Sequence, residues 1–332
     1  MKKKVLALIV AAGMLMAIFG GCSGGSGSGD QNDDVGSNYP NKPIQIIVPV
    51  PAGGDTDYNA RVLAEYVSKY IGQPVVVTNV EGGGTVTGMQ QILDGNPDGY
   101  SLVVNGTDVF VPNMLGNTEV TLDSFKTAGI SLIDNTTVLA VHKDSGFTQL
   151  PELVEASKAN PQGLEYGMKI GATNNICGIA MGTQWGAEFK NVDVGNNAAK
   201  MTALLAKQTD VININYSLAK DYFTTGEFVP LVLLGSEKNQ ALPELPLAED
   251  FGMENLDYSK FFWLGMHPET PDEIVKIFSD ALKKACEDPE YIEKMEANYL
   301  TVKFMEPQEA HQFALNFYEE TMLPFKEDFV NQ

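Results

Sequence analysis

Two short turns, rich in glycine and small polar residues, have the composition of anion-binding sites. The first turn, residues 51–57, follows the apolar stretch 44–48 and contains Gly53 and Gly54, and the three residues after these glycines can each cap a helix. A strand, a glycine-rich loop and a helix N-terminus together point backbone amides at a ligand, and the helix dipole adds roughly half a positive charge. The chemistry that this pattern favours is the binding of a small anion.

A second turn, in the other half of the chain, repeats the arrangement. Residues 171–174 follow a predicted strand at 164–168 and precede a predicted helix at 176–189. Many α/β proteins have capped strand–helix turns that bind nothing, so neither turn is specific by itself. One such turn in each half of the chain predicts a clamp that holds a small molecule between two parts of the fold.

The residues that usually carry catalysis or bind metals form no recognisable group. His142, His267 and His311 are scattered without partners at metal-ligand spacing, and the sequence has no P-loop or G-x-S-x-G motif. The glycine-rich stretch 81–88 has Thr87 where a dinucleotide-binding G-x-G-x-x-G motif needs its third glycine. We therefore predict no enzyme activity, no cofactor and no metal, and we keep an enzyme on a similar two-lobed scaffold as the less favoured alternative.

Alternating strands and helices position the two turns. Apolar residues recur at helical spacing from 57 to 71, and strands are predicted at 74–79 and 100–104. This alternation predicts an α/β fold with a parallel sheet and right-handed crossovers. A strand at 137–141 leads out of the first domain, and a strand at 261–266 returns to it. The predicted closing helices span 271–286, 289–299 and 307–329, each with a proline at its start.

The length of the chain favours two domains. We expect residues 39–139 and 260–332 to form the first domain and residues 140–259 to form the second. Closure of the two domains on a ligand is expected to be a hinge motion, near 137–142 and between 228 and 266.

The N-terminus has the features of an export signal. A basic start and the apolar run 5–19, which is too short for a comfortable membrane span, precede two glycines and Cys22. We predict a signal peptide at 1–21, then lipidated Cys22 and a flexible tether at 22–38, so that the protein is extracytoplasmic and anchored to the membrane. Ordinary cleavage nearby, which leaves Cys22 as a spare thiol, is the alternative.

The formal charge of −21 excludes nucleic acid as a partner. Anionic headgroups repel such a body, so the lipid is the only expected membrane contact. Cys177 and Cys286 are expected to be free or buried thiols, because a chain of this size needs no disulfide framework. We expect a monomer.

Several ordered motifs resemble one family of proteins over nearly the whole chain after residue 38. Residues 39–44 and 49–57 match the family's opening YP-x-(K/R)-P-I and P-x-P-x-GG-x-TD stretches. Residues 72–77 match its GQPVVV segment, and residues 97–100 match its PDGY segment. Residues 241–246 correspond to its ALPDVPT turn, and residues 262–271 correspond to its (W/F)-x-G-L…TP return segment. In these motifs the chain is similar to the extracytoplasmic solute-binding proteins of tripartite tricarboxylate transporters, also called the Bug family.

The resemblance implies a fold and a function. The fold is the two-domain, type II periplasmic-binding-protein architecture, with the ligand in the cleft between the lobes. The function is the capture of a small carboxylate, whether a dicarboxylate, a tricarboxylate, a hydroxy acid or an amino-acid-like compound, and its delivery to integral membrane transporter subunits. A sensor that passes the ligand-bound state to a signalling receptor is the alternative.

The resemblance also implies which residues contact the ligand. They lie in the first turn, the loop after the third strand, the second turn and two polar positions further on. They are Pro51, Ala52, Gly53, Gly54, Asp55, Thr56, Asp57, Asn105, Gly106, Thr107, Lys169, Gly171, Ala172, Thr173, Asn174, Asn196, Asn197, Asn213 and Asn215.

Two of these residues depart from the family's pattern, because Asp55 and Lys169 replace small residues. Asp55 is expected to repel a polyanion unless the ligand also carries an ammonium or hydroxyl group. Lys169 could pair with Asp55, bind a ligand carboxylate or be exposed to solvent. The single arginine, Arg61, lies four residues after Asp57, and an ion pair on the helix face is favoured over ligand contact.

Overall fold

Two β-sheets with helices packed on their faces form the body of the molecule. The structure is a computed structural model, and it describes residues 38–252 and 257–331. The predicted signal peptide, Cys22 and nearly all of the predicted tether lie outside the described residues.

The first sheet is built from both ends of the described chain. Its strands are β1 (Ile44–Val48), β2 (Val75–Asn79), β3 (Ser101–Asn105), β4 (Lys126–Asp134), β10 (Lys260–Met266) and β11 (Thr301–Met305). They lie in the order β11-β4-β10-β3-β1-β2. The first three strands of the chain are parallel, as predicted, whereas β10 is antiparallel to its neighbours β3 and β4.

The second sheet comes from the middle of the chain. Its strands are β5 (Thr137–His142), β6 (Glu165–Met168), β7 (Lys190–Asp193), β8 (Val211–Asn215) and β9 (Phe228–Leu233). They lie in the order β7-β6-β8-β5-β9. Strand β8 is parallel to β6, and β6 is parallel to β7, while β5 is antiparallel to both β8 and β9. Each sheet with its helices is called a lobe below.

The helices alternate with the strands. They are α1 (Asp55–Ile71), α2 (Val86–Leu93), α3 (Val111–Met114), α4 (Leu150–Ala159), α5 (Thr173–Trp185), α6 (Asn197–Leu205), α7 (Tyr216–Thr224), α8 (Asp272–Cys286), α9 (Pro289–Glu296), α10 (Pro307–Phe317) and α11 (Lys326–Val330). The apolar spacing that predicts α1 corresponds to its buried face, because Ala60, Leu63, Ala64 and Val67 are all buried.

The chain crosses between the two sheets twice. It passes from β4 to β5 through residues 135–136, and from β9 to β10 through residues 234–259. Strand β5 has β8 and β9 as its neighbours, so the predicted domain boundary at 139/140 falls inside a strand of the second sheet. The chain therefore leaves the first sheet after β4, a few residues before the predicted boundary.

Three elements were not predicted. Helix α3 lies between β3 and β4, helix α7 lies between β8 and β9, and β11 lies between α9 and α10. The predicted long helix at 307–329 is interrupted, because α10 ends at Phe317 and is followed by a π-helical turn and a 3₁₀ turn that contains Pro324. A break at Pro324 agrees with the helix-breaking property of proline.

The C-terminal segment after α10 packs against the second lobe. Helix α11 and the 3₁₀ turn before it contact α5. Phe325 and Phe329 are buried in the same apolar cluster as Ile176 and Trp185 of α5. The end of the chain therefore joins the cores of both lobes, although the sequence assigns it to the first domain alone.

This packing predicts that Phe329→Ala lowers the free energy of unfolding by about 3 kcal/mol, because it leaves a cavity in the shared core. Urea denaturation followed by circular dichroism measures the change. Val330→Ala, at an exposed position in the same helix, is the matched control and should change stability by less than about 0.5 kcal/mol. Equal effects of the two substitutions would contradict the bridging role of Phe329.

Candidate functional site

The loop after β3 and the start of α5 meet between the two lobes. The carboxylate of Asp108, through Oδ1, accepts a hydrogen bond from the backbone amide of Thr173 at 3.2 Å and a second one from the Thr173 hydroxyl. The hydroxyls of Thr107 and Thr173 lie 3.5 Å apart. Two predicted ligand contacts, Thr107 and Thr173, are thus brought together, and Asp108, which was not among the predicted residues, links them.

Asp108 acts as a helix cap supplied by the opposite lobe. Ala172, at the N-cap position of α5, has an extended backbone and makes no side-chain cap hydrogen bond. The amides of the first helical turn have no partners inside a helix, and a carboxylate is the group that they and the helix dipole stabilise best. Asp108 therefore binds at the α5 N-terminus in the manner expected of a ligand carboxylate.

The first turn is held closed by Asp57. Its carboxylate accepts a hydrogen bond from the amide of Gly53 at 2.9 Å, and it also contacts Asn79 at 3.0 Å and Arg61 at 2.9 Å. Burial alone would raise the pKa of Asp57, but hydrogen bonds from Arg61, Gly53 and Asn79 hold it below its ordinary value. Asp57 and Arg61 therefore organise the turn, and the predicted ion pair between them is present.

A chain of polar contacts centred on Lys260 connects the first turn to the second lobe. The ammonium of Lys260, at the start of β10, lies 2.6 Å from Oδ2 of Asp55 and donates to Oδ1 of Asn215 at 3.1 Å. The Asn215 amide group in turn donates to Oδ2 of Asp134 at 2.6 Å. Asn215 is thus a predicted site residue whose side chain is fully engaged, and Lys260 and Asp134 are members of the site that were not predicted.

The pKa values in this chain of contacts show how the charges are balanced. Burial tends to raise the pKa of Asp55, but the charge of Lys260 and its hydrogen bond outweigh burial and lower it. Burial tends to lower the pKa of Lys260, and Asp55 reverses this and raises it to about 12. Burial raises the pKa of Asp134. The negative charge of Asp55 is therefore paired with the charge of Lys260, which weakens the expected repulsion between Asp55 and an anionic ligand.

Lys169 is not part of this network. Its side chain is exposed, and its backbone amide donates to Oδ1 of Asn174 at 3.2 Å. Of the three predicted roles for Lys169, pairing with Asp55 is wrong, because Lys260 occupies that position.

A buried lysine lies on the second-lobe side of the cleft. Lys200 of α6 is only 2% exposed, and its ammonium donates to the backbone oxygen of Asn213 at 2.5 Å and to Oδ1 of the same residue at 3.2 Å. Burial and then the positive charge of Lys260 lower the pKa of Lys200 to about 7. Lys200 was not predicted, although its spacing to the buried residues Ala203 and Leu204 places it on the apolar face of α6.

The thiol of Cys177 lies one helical turn after Thr173. Burial raises the pKa of Cys177 to about 12, so the group stays a neutral thiol, as expected for a buried bystander. Tyr166 and Tyr258 are its neighbours, and the Tyr166 hydroxyl donates to the backbone oxygen of Asn174 at 2.9 Å.

Other predicted site residues serve local structure. Asn105 is buried, and its side chain accepts from the amide of Gly106 at 2.9 Å. Asn196 is exposed and caps α6 through the amide of Ala199 at 3.0 Å, with Asn197 as the first residue of that helix. These contacts use the side-chain oxygens of Asn105 and Asn196.

The rest of the two turns lies at the surface or partly covered. Pro51, Ala52, Gly53 and Gly54 are exposed, while Thr56 is buried. Gly171, Ala172 and Asn174 are partly buried.

A separate open cavity of about 700 Å³ lies in the first lobe beside α8, β11 and α10. Lys126, Lys276, Lys283 and Asp280 are among its lining residues. The predicted ligand contacts are not among the residues that line it, so it does not belong to the cleft.

Within residues 38–252 and 257–331, no helix has both the length and the apolar character needed to cross a membrane. The same ranges contain no cluster of histidine, cysteine or acidic side chains that could hold a metal ion.

The lowered pKa of Lys200 predicts a pH-dependent stability. In the unfolded chain this lysine binds its proton up to about pH 10.5, whereas in the folded protein it loses the proton near pH 7. The unfolded state therefore binds more protons above pH 7, and the contribution of Lys200 makes the free energy of unfolding rise with pH by at most about 1.4 kcal/mol per unit.

Lys200→Met should remove this rise. When unfolding curves are measured from about pH 7 to pH 9, the free energy of unfolding of the variant should increase less with pH than that of the wild type. Lys169→Met removes an exposed lysine and is the matched control, with no expected change in slope. A Lys200→Met profile parallel to that of the wild type would mean that Lys200 keeps its proton in the folded state.

A family model and curated relatives match most of the chain. The family model described as "Tripartite tricarboxylate transporter family receptor" matches residues 59–321. The "UPF0065 protein in gbd 5'region" of Cupriavidus necator is 29% identical over 279 residues, which cover 83% of this chain and 84% of that protein.

Solved structures share the fold. The periplasmic binding protein BugD superposes with a TM-score of 0.76 at 24% identity, covering 88% of this chain and 99% of that chain. MatC from Rhodopseudomonas palustris, solved with bound malate, superposes with a TM-score of 0.74 at 20% identity, covering 88% of this chain and 100% of that chain. The chain therefore has the two-lobed fold of periplasmic binding proteins and belongs to the tripartite tricarboxylate transporter receptor family.

Proposed function

We propose that the protein captures a small carboxylate between its two lobes and delivers it to the membrane subunits of a tripartite tricarboxylate-type transporter. The observation that carries this proposal is the meeting of the β3 loop with the α5 N-terminus, where Asp108 binds Thr173. A carboxylate from one lobe already binds the helix terminus of the other, so the chemistry of the cleft suits carboxylates.

The charges near the cleft support an anionic ligand. Lys260 neutralises Asp55, and buried Lys200 interacts at longer range with Asp55 and Asp108. The single arginine is already paired with Asp57, so we expect recognition to rest on backbone amides. MatC, which has the same fold, was solved with malate, a small dicarboxylate.

The export and anchoring features complete the proposal. A signal peptide at 1–21 and a lipid on Cys22 would hold the protein outside the cytoplasm through the tether 22–38. The net charge of −21 keeps the body away from anionic lipid, so the membrane partner is a transporter protein and not the bilayer surface. We propose a monomeric receptor without a cofactor and without enzyme activity.

A thermal-unfolding screen of small carboxylates with the purified protein tests the function. A true ligand at about 100 times its Kd should raise the Tm by roughly 5 °C, because binding adds about 2.7 kcal/mol to the folded state. Dicarboxylates, tricarboxylates, hydroxy acids and amino acids make up the panel, and neutral sugars are the negative control. A panel in which only sugars stabilise the protein would overturn the proposal.

Gly53→Val tests whether the first turn belongs to the site. Gly53 has φ +85° and open space around a Cβ, so valine adds backbone strain and a side chain at the exposed turn without a clash in the core. We expect at least a tenfold loss of affinity for the carboxylate that the screen identifies, measured by calorimetry.

Gly146→Val is the matched control, because Gly146 has φ +83° and equally open space but lies in a turn after β5. It should carry the same strain and keep the affinity of the wild type. Unchanged affinity in Gly53→Val would remove the first turn from the site.

A further inference from the structure

Asp108 is a carboxylate placed directly at the anion-binding end of α5. It belongs to the first lobe, yet its Oδ1 accepts hydrogen bonds from both the amide and the hydroxyl of Thr173 in the second lobe. Ala172, at the N-cap position, has no side chain that could cap the helix. The position where the second lobe could hold a ligand carboxylate is therefore taken by a carboxylate of the protein itself.

Asp108 has no lysine or arginine in direct contact within the described part of the chain. Lys260 is committed to Asp55 and Asn215, and Lys200 is committed to Asn213. Both lysines act on Asp108 only at longer range. A second carboxylate placed beside Asp108 would meet its charge, whereas an ammonium group would be attracted to it.

A buried hydroxyl that has no hydrogen-bond partner among the described residues lies close to the first turn of α5. The hydroxyl of Tyr258 is buried, with the residue 4% exposed, and it has no hydrogen-bond partner among residues 38–252 and 257–331. Tyr258 lies near Cys177, which follows Thr173 by one helical turn on the same face of α5. An unpaired buried hydroxyl in a native fold calls for a partner, and a ligand would supply one.

We propose that Asp108 determines ligand preference. It fills the carboxylate position at the α5 N-terminus. It therefore selects ligands that carry one carboxylate and one hydrogen-bond-donating group, such as an ammonium, over dicarboxylates. The ammonium of such a ligand then faces Asp108. This inference rests on the proposed function and specifies the substrate class of the same site.

Matched probe pairs test the inference on the full-length protein by isothermal titration calorimetry. β-Alanine and succinate have the same spacer but end in an ammonium or a carboxylate, and γ-aminobutyrate and glutarate form a second such pair. The wild type should bind the amino member of a pair more tightly. In Asp108→Asn the ratio of the two dissociation constants should shift toward the dicarboxylate by about 10- to 100-fold, since a hydrogen bond to a charged group contributes that much affinity.

The asparagine variant keeps an oxygen that can accept the bonds from Thr173, so it changes the charge and leaves the contact between the lobes. Asp94→Asn is the matched control, because it removes an exposed carboxylate at the far end of α2. Its ratio of the two dissociation constants should equal that of the wild type. Circular dichroism shows whether Asp108→Asn is folded, and Asp108→Ser replaces it in the titrations if it is not.

The outcomes separate the inference from the proposed function. If the wild type binds carboxylates and both Asp108→Asn and Asp108→Ser keep the wild-type ratio of the two dissociation constants, the proposed role of Asp108 is overturned. The proposed function then still stands. A wild type that prefers the dicarboxylate of each pair also overturns the inference. A wild type that binds no small carboxylate overturns the proposed function, and the inference with it.

Discussion

The ammonium of Lys260 links three separate parts of the fold in the described site. It contacts Asp55 at the start of α1 and Asn215 at the end of β8, and Asn215 passes the connection to Asp134 at the end of β4. Burying these groups removes them from water, and only close pairing compensates for that loss. Without the lysine, Asp55 and Asp134 would lie near each other without a counter-charge, so the first turn depends on a residue at the start of a strand in the same sheet.

The chain crossings lie beside this network, which limits where a hinge can act. Asn239, in the second crossing, donates to Asn135 in the first crossing and to the backbone of Tyr299, each at 2.9 Å. Strand β5 is buried along its whole length and paired on both edges, so it cannot absorb a large change in backbone angles. The hinge predicted near 137–142 remains a prediction, and we propose residues 135–136, where the chain is between strands, as the part of this segment that bends.

Much of the fold could be predicted from the sequence because the signals are local. Apolar spacing predicts α1, glycine and proline positions predict the turns, and proline marks the break after α10. Strand β11 could not be predicted, because it is a largely exposed edge strand with only its last residue buried. The partners of the site residues are equally hidden, since Asp55 and Lys260 are 205 residues apart in the chain.

The family resemblance assigns the β3 loop and the second turn to one site, and in the fold Thr107 and Asp108 meet Thr173. The sequence does not show which of the polar groups assigned to the site are already paired within the protein. In the folded chain Asn105, Asn196 and the amide of Gly53 already have partners. Charge distinguishes the two carboxylates, because Asp55 is paired with Lys260 whereas Asp108 binds the amide of Thr173 without a paired cation in the described part of the chain. A clamp made of helix termini is selective through the charges that the protein itself places on them, because backbone amides bind any carboxylate.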